Sequence, residues 1–187
     1  MSLKEIQFQL RELGTPETIA FIEKIAPGVK GVYGVKMPML HALVAQYKKE
    51  GFPLIEELWK SGAFEERVMA AKLLEKNAAI DPHKALKLVK RFSAEIDNWP
   101  VCDAIGMQSL RGITKTHTEE IFALADKLNT SANFWQRRLS LVLVEWFTRD
   151  KKYHTNIKKL IATLKDDREH YVKKAIQWLE KNLSKGK

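Results

Sequence analysis

An aspartate one helical turn beyond a tryptophan is the first pairing in this sequence whose residue types could do chemistry. In Asp97-Asn98-Trp99-Pro100-Val101-Cys102-Asp103, Pro100 suits the first turn of a helix, where a missing N–H costs nothing. The four-residue spacing puts Trp99 and Asp103 on one face, opposite Val101, Ala104 and Ile105. A helix N-terminus favours negative charge, so Asp103 should stay ionised at neutral pH. An anion beside an indole needs a task or a partner, and an ion pair to Arg67 or Arg138 would supply the second. Arg138 shares with Glu145 the narrow polar strip of an otherwise apolar helix. Its fork of donors suits a phosphate oxygen as well as a carboxylate. Near the C-terminus, Val172, Ala175, Ile176, Leu179 and Leu183 fall within about 40° of one direction on a helical wheel, and Trp178 points about 120° away. Trp178 shares its face with Lys174 and Lys181. An indole held there either packs on a neighbouring element or offers its ring to a ligand.

The elements that must position these residues are helices throughout. Thr15-Pro16-Glu17, Met37-Pro38, Phe52-Pro53, Asp81-Pro82 and Trp99-Pro100 are start signals, and no run of alternating residues marks a strand. The pattern predicts about ten to twelve helices with short connections. It also repeats. FEERVMAAKLL from Phe64, WPVCDAIGMQSL from Trp99, FWQRRLSLVLVEW from Phe134 and HYVKKAIQWLEKN from His170 align Arg67, Asp103, Arg138 and Lys174 at steps of 36, 35 and 36 residues. An aromatic residue (Phe64, Trp99, Trp135 or Tyr171) precedes each by three or four positions. This period predicts an all-α fold, an α-solenoid of HEAT-like helix pairs in which equivalent residues form a ladder along one concave surface. A helical bundle without true repeats is the alternative.

Composition narrows the class. The 187 residues suffice for one domain, read as 1–187, and 45% hydrophobic content excludes disorder. No apolar run approaches the roughly 20 residues of a membrane helix, and the N-terminus lacks a signal-peptide core, so a soluble cytoplasmic protein is expected. A single cysteine, Cys102, forms no internal disulfide and is expected to pack beside the core. The five histidines are scattered without metal-ligand spacing, and neither a Gly-rich phosphate loop nor a nucleophile elbow occurs. The formal charge is +9, of which residues 151–187, with 11 basic and 4 acidic side chains, carry +7. A polyanion such as nucleic acid is the partner this field suits, though a solvated basic tail would look the same.

Trp99 to Asp103, Tyr33-Gly34-Val35-Lys36-Met37-Pro38, Phe134-Trp135-Gln136-Arg137-Arg138 and Tyr171 to Trp178 together resemble the DNA alkylation repair proteins of the AlkD type, which are HEAT-like-repeat DNA glycosylases. The resemblance runs from about residue 30 to 182. It implies hydrolysis of the N-glycosidic bond of cationic N3- or N7-alkylated purines in duplex DNA, without base flipping, metal or cofactor. It assigns Asp103 to stabilising the oxocarbenium-like sugar and positioning water, and Trp99 and Trp178 to packing on the lesion's deoxyribose and backbone. Arg138, with Arg137, Lys173, Lys174 and Lys181, would meet DNA phosphates. A monomer acting on alkylated double-stranded DNA, away from any membrane, is expected.

Two positions depart from that pattern. Lys181 stands where the family often has arginine, and no aromatic residue before Pro27 convincingly matches a tyrosine that lines the family's cleft. A non-catalytic module binding DNA backbone or branched DNA, and a peptide-binding scaffold, are the rivals. A carboxylate between indoles favours the enzyme, because a groove that only holds phosphate gains nothing from an anion.

Overall fold

Prolines and short polar caps set where the helices begin. Thr15, Asp81, Asn98 and Asn133 each accept a backbone N–H with their side chains, and Pro16, Pro82 and Pro100 follow in the first turn. The computed structural model describes residues 3–185. Its helices are α1 (Leu3–Leu13), α2 (Pro16–Ile25), α3 (Met37–Tyr47), α4 (Gly51–Ser61), α5 (Phe64–Asn77), α6 (Pro82–Ser93), α7 (Trp99–Gln108), α8 (Thr118–Asn129), α9 (Phe134–Leu143), α10 (His154–Thr163) and α11 (His170–Ser184). Among the described residues there is no strand, and no helix is long and apolar enough to cross a membrane.

The repeat in the sequence is a repeat in space. α5, α7, α9 and α11 start at Phe64, Trp99, Phe134 and His170 and pack in succession, with α3 against α5 at the near end, making one inner layer. α6, α8 and α10 follow one another in the outer layer, and α4 backs α5 as α8 backs α9. The chain is thus a single all-α domain of stacked helix pairs, a solenoid in which each pair buries its apolar surface against the next. One close approach matters for the site. A Cβ on Gly106 of α7 would lie 2.5 Å from Val142 of α9, so only glycine lets these two helices meet there.

Near the N-terminal end the stack is tied by a carboxyl group. Glu65 is wholly buried, and its side chain accepts the backbone N–H groups of Tyr33, Gly34 and Val35 at 2.9, 2.7 and 3.0 Å. Gly34 makes the turn possible, with φ of +84 and no room for a Cβ beside the Thr15 carbonyl. Glu65→Gln turns one acceptor toward those N–H groups into a donor, which costs about 2 kcal/mol. Thermal unfolding should then shift down by about 4–8 °C for a chain of this size, and an unchanged midpoint would mean that another group satisfies the loop.

Candidate active site

Asp103 sits in the fifth position of α7, one turn after Trp99. Its carboxyl meets Arg138, on α9, through three contacts: Nη2 to Oδ1 at 2.8 Å, Nη2 to Oδ2 at 3.1 Å and Nε to Oδ1 at 3.2 Å. The remaining guanidinium nitrogen, Nη1, donates to the Tyr171 carbonyl at the start of α11 at 2.7 Å. One arginine thereby joins three consecutive inner helices. The Trp135 ring stacks on Tyr171 with centroids 4.9 Å apart, fixing the same corner.

This geometry alters two expectations. Arg138 is 6% exposed and each of its three nitrogens already has a partner, so its fork goes to Asp103 and a phosphate would have to share it. A carboxylate and a phosphate are equivalent partners for a guanidinium, and the closeness of α7 to α9 at Gly106 brings the carboxylate within reach. Second, burial raises the Asp103 carboxyl above its ordinary range, with the Arg138 charge and hydrogen bonds acting the other way. The helix N-terminus does not dominate, since its field fades beyond the first turn and Asp103 lies past it. The side chain keeps 24% exposure, enough for its carboxyl to meet a ligand.

Trp99 is half-buried, and its indole N–H donates to the Ile25 carbonyl at the end of α2 at 2.8 Å, which fixes the ring. Phe21 lies one turn before Ile25 and is 59% exposed. Trp178 is half-buried on α11, two turns beyond Tyr171 and one before Asn182. Tyr171 accepts the Arg138 bond through its backbone carbonyl and Asn182 donates to Glu145 just past α9, so α11 is tied to the α9 segment on either side of Trp178. Glu145 also pairs with Arg149 at 3.2 Å.

The cations divide. Lys174 and Lys181 are exposed on α11 near Trp178. Arg137 binds Asp167 at 2.6 Å and the Ser131 and Ala132 carbonyls at 2.8 and 3.0 Å, where it straps the α8–α9 turn to the segment before α11. Exposed Lys173 acts on that same Asp167. Arg67, one repeat earlier on the ladder, pairs with Asp97 at 3.5 Å. Cys102 is fully buried and burial raises its thiol, which leaves it as packing. Among the described residues no three His, Cys, Asp or Glu side chains gather as a metal site.

Chemically, α7 presents a partly buried carboxyl held by the Arg138 fork one turn from a half-buried indole, and α11 carries a second half-buried indole with exposed lysines on the same helix. Such a set can stabilise a transient cation next to a polyanion. A family model described as DNA alkylation repair enzyme matches residues 6–187. No curated protein matches the chain.

Proposed function

The chain belongs to the DNA alkylation repair enzyme family, and from that premise we propose that it is a monofunctional DNA glycosylase acting on cationic N3- or N7-alkylated purines in duplex DNA. The observation that carries this reading is the Asp103 carboxyl, held by the Arg138 fork beside Trp99. In an alkylated purine the base already bears the positive charge. Breaking the C1′–N bond leaves the electron pair on the base, which departs neutral, while the charge passes to the deoxyribose as an oxocarbenium-like species. An ionised carboxylate in a partly desolvated setting stabilises that species most at the moment its charge develops. Asp103 also positions the water that attacks C1′, and the proton lost from that water passes to the carboxylate or to solvent. The products are a free alkylpurine and an abasic site.

Trp99 and Trp178 offer π-faces to the cationic sugar and lesion, a contact whose worth grows as charge builds. Lys174 and Lys181 would meet the flanking backbone, and the lesion stays in the duplex rather than entering a pocket. Purified protein should release methylpurines from N-methylated duplex DNA, with free base measured by chromatography; no release above the spontaneous rate would sink the proposal. Trp178→Ala should slow single-turnover release by about thirtyfold, the worth of a cation–π contact of about 2 kcal/mol. The unfolding midpoint serves as the control for structure.

The threefold Asp103–Arg138 contact favours a second reading, a non-catalytic module that binds DNA backbone and uses this pair to lock its repeats. In that case duplex affinity survives every Asp103 variant that folds, and no variant changes base release.

A further inference from the structure

A second basic region lies further along the inner layer, away from the C-terminal charge. Between α3, α5, α7 and the 3₁₀ turn Glu145–Arg149 opens a cleft of about 680 Å³. Lys48, Lys72, Lys76, Arg111 and Arg149 line it, with Glu75 as the only acidic lining residue. Glu75 meets Lys76 at 3.7 Å, and Arg149 meets Glu145 at 3.2 Å. Lys72 and Arg111 have no ion pair among the described residues.

Two separate features point to an anion. Lys72 is buried, yet its ammonium donates to uncharged acceptors, His41 Nε2 and Gln108 Oε1, each at 2.8 Å. For His41 to accept there it must be neutral, and burial together with the Lys72 charge keeps its pKa below the usual value. The cleft thus holds a buried cation in place without a carboxylate at hydrogen-bond distance, a costly arrangement in the absence of a ligand. The other feature is Trp146, whose ring carries the guanidinium carbons of both Arg111 and Arg149, 4.5 and 4.3 Å from its centroid. The indole orders the Arg111 fork and adds to the hold of Glu145 on Arg149, which lowers the entropy lost when they bind.

The cleft and the candidate active site share α7. Trp99, Asp103 and Met107 succeed one another turn by turn on α7, and Met107 and Gln108 line the cleft. From Asp103 to Gln108 is about 8 Å along the helix, some two base-pair steps of duplex. We propose that this cleft is a phosphate-binding subsite for the DNA backbone a few nucleotides from the lesion, with Arg111 as the forked contact and Lys72 as a fixed point charge. The inference rests on the reading of duplex DNA as the ligand, and it does not require that the base be excised.

The test uses the full chain and an unmodified duplex, followed by fluorescence anisotropy over a range of salt. Arg111→Ala, a change at an exposed side chain, should weaken binding several-fold and reduce the log–log salt slope by about 0.9. A series of duplexes, each with one neutral methylphosphonate, should reveal a position that weakens wild-type binding and has no effect on Arg111→Ala. Unchanged affinity and slope in Arg111→Ala, or methylphosphonate penalties that persist in it at every position, would overturn the proposal. Saturable displacement of duplex by millimolar inorganic phosphate, beyond its ionic strength, would instead make this a site for a small anion. A protein that excises nothing but passes the Arg111 test loses the glycosylase assignment and keeps the subsite; the reverse pattern does the opposite.

Discussion

Asp103→Asn should lower single-turnover release of alkylated base by a factor of about 10²–10³, the usual consequence of removing one preorganised electrostatic stabiliser. The substitution preserves volume and removes only the charge, so the catalytic deficit is not a packing effect. Arg138 keeps its bond to the Tyr171 carbonyl and can still donate to the amide oxygen, but its charge is no longer neutralised. That freed charge gives the result a second sign: affinity for unmodified duplex should hold or rise slightly, because a repelling anion has left the face. A fall in release with affinity preserved places Asp103 in the chemical step. Release at the wild-type rate would leave Asp103 as a structural partner of Arg138 and favour the backbone-binding module.

The fold was legible where local signals and the long period agreed. Thr15-Pro16, Asp81-Pro82 and Asn98-Trp99-Pro100 each open a helix because cap and proline act within one turn, and the 35- to 36-residue step marks the inner layer because every repeat must bury an equivalent stripe. Pairing between repeats was harder to read. A helical wheel put Arg138 on a polar strip, yet which acceptor its fork reaches depends on the approach of α7 to α9 at Gly106, a tertiary distance. The burial that raises Asp103 is equally absent from the α7 sequence. Glu65 and Glu66 look like ordinary first-turn acids, but both are at 0% exposure because the loop around Tyr33 closes over them. Charge counting misled in one respect. Residues 1–150 carry only +2 in sum, which conceals the cleft around Lys72 because its cations come from α5, from Lys48 just after α3 and from the short turns at Arg111 and Arg149, which meet only in the fold.

Arg138 is where stability and activity should separate with pH. Burial raises the Asp103 carboxyl and Arg138 restrains that rise, so in wild type the acid limb of the release rate should lie above the range of an ordinary carboxylate. Arg138→Met removes both charge and hydrogen bonds, and the limb should move to higher pH. Arg138→Lys keeps the charge without the fork and should fall between the two. Loss of the partner also costs about 3–5 kcal/mol when Asp103 is ionised, because a buried charge is left uncompensated. For a group whose folded pKa exceeds its unfolded value, the favourable contribution is fully present below the unfolded pKa and is lost as pH rises through the folded one. The Met variant should therefore recover stability in mild acid, where its activity is lowest, as urea midpoints and single-turnover rates measured across the same pH series would show. A purely structural Asp103 predicts the same stability trend with no acid limb tied to this pair, so a release profile that Arg138→Lys and Arg138→Met leave unshifted would remove the carboxylate from the reaction while leaving its role in the fold intact.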